Sequence, residues 1–282
     1  MSRLALNCAA LRKCFAPALR TSSLLLCSKG EHMRSHLVLK SALVGGALAF
    51  LAASAQAQIG PELLLNGTLD SPGIHESDTV DNWSLVETPG GSVNSATMAS
   101  FANHTPDDGD PNTTQVGLWN RSFEGLFFGN NMEPVGARLS QVVGGAVPGQ
   151  LYRARGWSRW ETNYSGGQTT LSAGPLVGQP SPTNTFFAMT FLDAGNSPIS
   201  SVVLDLRTEQ SNGAGWLLHT IGGVAPAGTV SIEVAGITEN MVPVTGAQSA
   251  FFDDFSLRAV PEPTTLGLAS VAAMGMLVRR RK

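Results

Sequence analysis

Residues 137–159 have the sequence ARLSQVVGGAVPGQLYRARGWSR. Two runs of side chains that suit extended backbone, Ala137–Val143 and Gln150–Arg159, flank a short segment of glycines and one proline. Gly and Pro mark turns, whereas alternating, β-branched and aromatic residues favour strands. This stretch therefore predicts two β-strands with a turn between them.

Similar runs recur from residue 58 to residue 259, separated by segments rich in Gly, Pro, Asn and Asp. No stretch keeps a 3.6-residue apolar period for long, so the spacing predicts an all-β body, either a sandwich or a barrel. Of the two we expect an antiparallel β-sandwich. The predicted strands are Glu62–Leu65, Gln115–Trp119, Ala137–Val143, Gln150–Arg159, Thr185–Leu192, Ile199–Asp205, Gly215–Ile221, Thr229–Ala235 and Ala250–Arg258.

The body is strongly acidic, although the whole chain has a net charge of only −3. Residues 58–260 contain 19 Asp and Glu against 7 Arg and no Lys, an excess of 12 negative charges. Such a surface repels phosphate backbones, which argues against nucleic acid as a partner, and it suits divalent cations or simply confers solubility. All three cysteines precede residue 58, which excludes disulfides and cysteine-bound zinc from the body.

The N-terminal part predicts an export signal. Positive charge follows Met33, an apolar run spans Ala42–Ala53, and small residues at 55 and 57 suit signal peptidase. We therefore assign residues 1–57 to a leader and signal peptide with a signal helix, and expect the mature chain to begin at Gln58. Met33 is then the true translation start, or else the leader is unusually long.

The C-terminal part predicts a sorting tail over residues 260–282. The triplet Pro261, Glu262 and Pro263 precedes an uncharged stretch, Thr264–Val278, and the chain ends with RRRK. The uncharged stretch is short for a transmembrane helix, and the terminal cations would stay on the cytoplasmic side.

These residues resemble the PEP-CTERM sorting signal, in which a Pro-Glu-Pro triplet, a Gly/Ala-rich apolar helix and an Arg cluster follow in that order. The resemblance implies transient anchoring in the inner membrane by the C-terminal helix and a cut near the triplet by a membrane-embedded exosortase. It also implies release to the cell-envelope surface or extracellular matrix of a Gram-negative bacterium that makes exopolysaccharide. A plain tail anchor is the alternative.

Four motifs of the body resemble jelly-roll carbohydrate-binding modules of the galactose-binding-like class. The opening LLNGTLD at residues 64–70 is followed by Trp83, and residues 225–229 (APAGT) resemble a late hairpin turn. Residues 138–152 resemble the central strand pair with its Pro-Gly turn, and FFDDFSL at 251–257 resembles the closing strand. The resemblance spans most of residues 62–257 and implies a jelly-roll sandwich that holds a glycan.

The closing strand provides the candidate metal ligand. With a period of two, Phe251, Asp253 and Phe255 share one face, which predicts that Asp253 points into the sandwich, where a carboxylate is costly unless paired or metal-bound. In the modules that the chain resembles, the Asp of this strand joins residues of the first strand at a structural calcium ion. The resemblance therefore implies Asp253 with Asp70 or Asn66 as Ca²⁺ ligands. The alternative is a carboxylate that is only hydrogen-bonded to the backbone.

A second acidic cluster, DDGDPN at residues 107–112, begins like a calcium loop. The EF-hand pattern requires Gly and Glu at its sixth and twelfth positions, where Thr113 and Trp119 stand instead. The cluster therefore favours a solvated turn over an ion site.

The strand Leu151–Arg159 provides the candidate ligand-binding face. Alternation places Tyr152 and three small residues on one face, and Arg153, Arg155 and Trp157 on the other. An indole offers a flat apolar surface for a pyranose ring, and guanidinium groups bind carboxylates or hydroxyls in a planar manner. This face therefore predicts a contact with sugars, acidic exopolysaccharide included. Alternatively, Trp157 covers core under a loop and the arginines are solvated charges.

Together these features predict a non-catalytic, exported protein of the envelope or biofilm matrix whose body binds exopolysaccharide or another glycan. Residues 58–260 have three histidines, no His-Glu-x-x-His pair and no Gly-x-Ser-x-Gly elbow, so we expect no enzyme. The alternatives are a purely structural matrix protein without a ligand and a polysaccharide hydrolase.

Overall fold

A computed structural model describes residues 60–89, 95–104, 115–122 and 134–261 of the chain. The chain divides into two compact units, Met1–Ser54 and Ala55–Lys282, and all described residues belong to the second. The predicted signal peptide, the acidic cluster at 107–112, Glu262, Pro263 and the predicted transmembrane helix lie outside the described residues. No helix within the described ranges is long and apolar enough to cross a membrane.

The described residues form ten strands and three single-turn 3-10 helices. The strands are β1 (Ser84–Thr88), β2 (Ala96–Ala99), β3 (Gly117–Asn120), β4 (Val135–Gly144), β5 (Leu151–Trp160), β6 (Asn184–Leu192), β7 (Pro198–Asp205), β8 (Leu217–Val224), β9 (Ser231–Met241) and β10 (Ala250–Val260). The 3-10 helices are Ser100–Ala102, Ser165–Gly167 and Leu206–Thr208.

The strands form two antiparallel sheets of five, which confirms the predicted β-sandwich. One sheet has the strand order β1-β4-β9-β6-β7, and the other has the order β2-β3-β10-β5-β8. Neighbours in each sheet are mostly distant along the chain. The last strand, β10, therefore lies in the middle of its sheet rather than at an edge.

The core lies between the two sheets and is built from alternate side chains of the central strands. On β5, every second residue from Tyr152 to Trp160 is buried, whereas the intervening residues are half-buried, as the alternation predicts. Phe187, Met189 and Phe191 of β6 contribute to the same core from the opposite sheet. The other side chains of β5 therefore face outward from the second sheet.

The beginning of the body differs from the prediction. Glu62–Leu65 is not a strand but makes one isolated bridge, between Glu62 and Arg258 of β10, and runs beside that strand. Neither β1 nor β2 was predicted. All four residues of β2 are buried, so no alternation of apolar and polar residues marks this strand.

A β-bulge in the middle of β10 reverses the alternation of its side chains. The register with β5 shifts after Asp253, and Asp254 adopts the left-handed conformation with φ of 50°. As a result, Phe252 and Phe255 both pack in the core, whereas Asp253 lies opposite Trp157, on the outer side of the sheet. The prediction that Asp253 points between the sheets is therefore wrong, because a bulge adds a residue that a period of two does not anticipate.

Candidate functional site

A cavity of about 420 Å³ lies on the outer face of the second sheet, over β5 and β10. Its volume is within the range of small-ligand sites. The cavity contains all three side chains that the sequence predicted for ligand binding. Its lining consists of Arg153, Arg155 and Trp157 from β5, Leu218 from β8, and Asp254, Ser256 and Arg258 from β10.

The antiparallel pairing of β5 with β10 brings these side chains together. Arg153 lies directly opposite Arg258, and Arg155 lies opposite Ser256. Side chains at opposite positions of an antiparallel pair share one face, with Cβ atoms about 5 Å apart. The two strands therefore present one continuous row of polar groups, with Trp157 at its end.

The three guanidinium groups of the cavity differ in their partners. Arg258 Nε donates to Glu62 Oε2 at 3.2 Å. Glu62 belongs to residues 60–70, the opening segment, whose first residues run beside β10. Arg153 and Arg155 are half-buried, and among the described residues neither side chain has a hydrogen bond or an ion pair. The cavity therefore contains two guanidinium groups whose donors are available to a ligand.

His104 packs against Trp157, a contact that the sequence analysis did not predict. The imidazole stacks on the indole with ring centroids 3.9 Å apart and an interplanar angle of 17°. Its Nδ1 lies 2.6 Å from Asp254 Oδ2, to which it donates, and Trp216 packs edge-on against the imidazole. One face of Trp157 is thus covered, which fixes the orientation of the indole at the cavity.

Asp253 is completely buried beside this stack. Its Oδ2 accepts the backbone N–H of His104 and its Oδ1 accepts that of Asp254, each at 2.7 Å. Burial raises the pKa of Asp253 well above its usual range, and the charges of Asp254 and Asp70 raise it further, while the two N–H donors act in the opposite direction. The carboxylate therefore has hydrogen-bond partners but no compensating positive charge among these neighbours.

The other two predicted metal ligands belong to the opening segment. Asp70 Oδ1 accepts the backbone N–H of Val116 at 2.9 Å, and burial raises the pKa of Asp70. The amide of Asn66 instead donates to the carbonyls of Ser71 and Asp81, and its Oδ1 accepts the Ser71 N–H. The structure thus brings Asp70 within electrostatic range of Asp253 and uses the Asn66 side chain to hold its own loop.

Asp70 and Asp253 have the chemistry that a calcium ion requires, although they are an incomplete ligand set. Asp253 is completely buried and Asp70 is half-buried, and the raised pKa of each reflects the cost of an ionised carboxylate away from water. Ca²⁺ binds about six to eight oxygens, backbone carbonyls and water included. Within the described ranges, no group of three or more His, Cys, Asp or Glu side chains is arranged to hold a metal ion.

The last strand of the sandwich leads directly into the C-terminal tail. β10 ends at Val260, and the family model of the PEP-CTERM protein-sorting motif matches residues 259–282. The chain carries a PEP-CTERM sorting signal. The PEP-CTERM signal implies an exported protein that passes through the membrane and is processed by an exosortase.

Solved structures with similar folds have low sequence identity to this chain. TmCBM61 in complex with β-1,4-galactotriose is 16% identical with a TM-score of 0.39, over 70% of this chain and 97% of that one. The CBM22-1 xylan-binding domain of Paenibacillus barcinonensis Xyn10C is 10% identical with a TM-score of 0.35, over 73% and 99%. The enzymatically active domain of bacteriophage CBA120 tailspike protein 4 is 13% identical with a TM-score of 0.44, over 71% of this chain but only 21% of that one. A search of curated proteins finds no match.

Proposed function

We propose that this PEP-CTERM protein is exported and binds a glycan through its β-sandwich without cleaving it. The observation that supports this function is the cavity lined by Trp157 and by two guanidinium groups without a partner among the described residues. A flat apolar surface beside convergent hydrogen-bond donors is the combination that a sugar ring with its hydroxyl groups requires.

The setting of Trp157 favours binding over simple coverage of the core. The indole is fixed by His104 on one face, and it still contributes surface to the cavity. A side chain that is already held in place loses little conformational freedom when a ligand binds. The indole is therefore preorganised for a flat partner.

The carboxylates of the site favour binding over hydrolysis. Glycosidases of the common type need two carboxyl groups that flank the scissile bond. Of the described residues that line the cavity, only Asp254 has a carboxylate, and this group is hydrogen-bonded to His104. Asp253 is completely buried and does not line the cavity.

The route of export follows from the two ends of the chain. Signal peptidase would remove residues 1–57, and the PEP-CTERM signal would hold an inner-membrane intermediate until an exosortase cuts it. The released body would then act at the cell-envelope surface or in the extracellular biofilm matrix, where exopolysaccharide is the available glycan.

A structural calcium ion, as opposed to a catalytic one, belongs to the same proposal. Asp70 and Asp253 would bind it, with the remaining oxygens from backbone carbonyls and water. The ion would supply positive charge that offsets the complete burial of Asp253 and the partial burial of Asp70. Its effect would be to stabilise the junction of the opening segment with β10, not to contact the glycan.

Removal of the indole tests the proposed function. We expect the Trp157→Ala protein to bind purified exopolysaccharide about tenfold more weakly than the wild type, because truncation of a central aromatic anchor has a cost of this size. Trp157→Phe should retain part of the affinity, since it keeps an aromatic face. Binding is measured by affinity electrophoresis, with thermal unfolding of each variant as the check of folding.

A matched control is Val86→Ala, which truncates an exposed apolar side chain of β1 on the other sheet. It should bind like the wild type. Equal retention of the wild type and Trp157→Ala would contradict the proposed site and leave a purely structural role. Release of reducing sugars from the polymer would instead identify a hydrolase.

A further inference from the structure

We propose that the glycan bound in this cavity is anionic, with uronic-acid carboxylates bound by Arg153 and Arg155. This inference rests on the proposed function and names the ligand class of the same site. It is carried by the charge of the cavity, by the pairing of its arginines and by the order of its side chains along β5.

The cavity is a basic site on an acidic body. Residues 58–260 have 12 more carboxylates than arginines, yet three of their seven arginines, Arg153, Arg155 and Arg258, line this one cavity. Charged groups of one sign in a concave site focus the local field and attract the opposite charge. A neutral sugar could accept hydrogen bonds from these guanidinium groups but would gain nothing from the net positive charge, whereas an anionic sugar would also be attracted and oriented by that charge.

The pairing of the arginines is electrostatically unfavourable by itself. Arg153 and Arg258 are directly opposite on β5 and β10, and like charges at opposite positions destabilise an antiparallel pair. Glu62 forms an ion pair with Arg258, and no described residue does so with Arg153. A bound anion would relieve the repulsion, so the arrangement favours the occupied state.

The order of the side chains indicates where the anion lies relative to a stacked ring. Trp157 is at one end of the row, and Arg155 and Arg153 follow at successive steps of about 6.7 Å along β5. Asp254, whose carboxylate lines the cavity, is hydrogen-bonded to His104, which stacks on Trp157. This carboxylate therefore lies at the Trp157 end of the row. A ring on the indole would place its neighbour at the arginines, where a planar carboxylate can accept two parallel N–H bonds from one guanidinium.

Pairs of polymers that differ only in their carboxylates test this inference. The full chain is titrated with polygalacturonate, alginate and hyaluronan, each compared with its carboxyl-reduced form, and with dextran sulfate as a sulfate-ester probe. We expect at least one uronate polymer to bind, the reduced form of that polymer to bind at least about tenfold more weakly, and added NaCl to weaken binding.

Single substitutions identify the residues responsible. Arg153→Gln and Arg155→Gln should each weaken binding of the uronate polymer by about tenfold and leave thermal unfolding unchanged, because neither side chain has a partner to lose among the residues that the structure describes. Arg138→Gln is the matched control, since it removes the same charge from the opposite sheet, where Arg138 pairs with Glu233. This control should bind like the wild type.

The outcomes separate the two proposals. Equal binding of the reduced and uronate polymers, lost in Trp157→Ala, would retain glycan binding and overturn the anionic ligand. Binding of dextran sulfate without any uronate polymer would overturn the assignment to carboxylates. Absence of binding to every polymer, reduced forms included, would overturn both proposals.

Discussion

At the scale of single residues, the outward side chains of β5 were predictable, but their closest neighbour was not. Strand geometry is local, so a period of two places Arg153, Arg155 and Trp157 on one face whatever the rest of the fold. His104 reaches Trp157 only through the tertiary structure, from a loop after a single-turn helix with no periodicity of its own. A loop residue that packs on a distant strand leaves no signal in a single sequence.

The buried hydrogen-bond network of His219 predicts an acid-sensitive stability. Its Nε2 lies 2.8 Å from Ser158 Oγ of β5 and 3.3 Å from Gln210 Oε1. Burial lowers the pKa of His219, and the charge of Glu209 opposes this shift in part. Because the unfolded histidine, with a pKa of about 6.5, takes up its proton at a higher pH than the folded one, the contribution of His219 to stability is present above about pH 6.5 and is lost as the pH falls.

The substitution His219→Gln isolates this effect, since glutamine keeps a hydrogen-bonding side chain and does not titrate. We expect the free energy of unfolding of the wild type to decrease more steeply between about pH 7.5 and pH 5 than that of the variant. Urea unfolding across this range is the measurement. Parallel pH dependences in the two proteins would contradict the role of His219.

At the scale of the elements, the long central strands were predictable because burial on one face imposes alternation on β5 and β6. The bulge in β10 was not predictable, because the left-handed conformation of Asp254 depends on what packs beside the strand and not on the local sequence pattern. Gly67 packs closely beside the bulge, since a Cβ there would lie 2.2 Å from the Phe255 carbonyl oxygen. The opening segment and the bulge pack against each other, and the sequence of neither one predicts this contact.

The same junction predicts a calcium-dependent stability. The N–H of Phe255 donates to the Gly67 carbonyl at 2.7 Å. This hydrogen bond joins β10, which contains Asp253, to the opening segment, which contains Asp70. An ion bound only by the folded protein stabilises it by mass action. We expect chelation to lower the melting temperature of the wild type by about 5 °C.

The isosteric variant Asp253→Asn should unfold at the same temperature with and without chelator. Glu239→Gln is its matched control, because it removes an exposed carboxylate from β9 and should keep the calcium response of the wild type. Thermal unfolding followed by circular dichroism measures all three proteins. A wild type that does not respond to exhaustive chelation would contradict the proposed ion.

At the scale of the whole molecule, the sandwich and the sorting signal have no spacer between them. β10 continues to Val260, and the matched motif begins at residue 259. The carbonyl of Ala259 accepts the Gly60 N–H at 3.0 Å, and that of Val260 accepts Gln150 Nε2 at 2.6 Å. We therefore expect mass spectrometry of the released protein to show a chain from Gln58 to Val260 or beyond. A C-terminus before Val260 would contradict this expectation.

The central position of β10 makes the C-terminal end of the body part of the proposed binding cavity. Arg258 borders the cavity, pairs with Glu62 and lies only two residues before the end of the strand. A protease that trimmed the released protein from this terminus would remove Arg258 from the cavity wall and would next reach Leu257, which is completely buried in the core. We therefore expect exoproteolysis that proceeds past Arg258 to weaken the proposed binding cavity and the fold together.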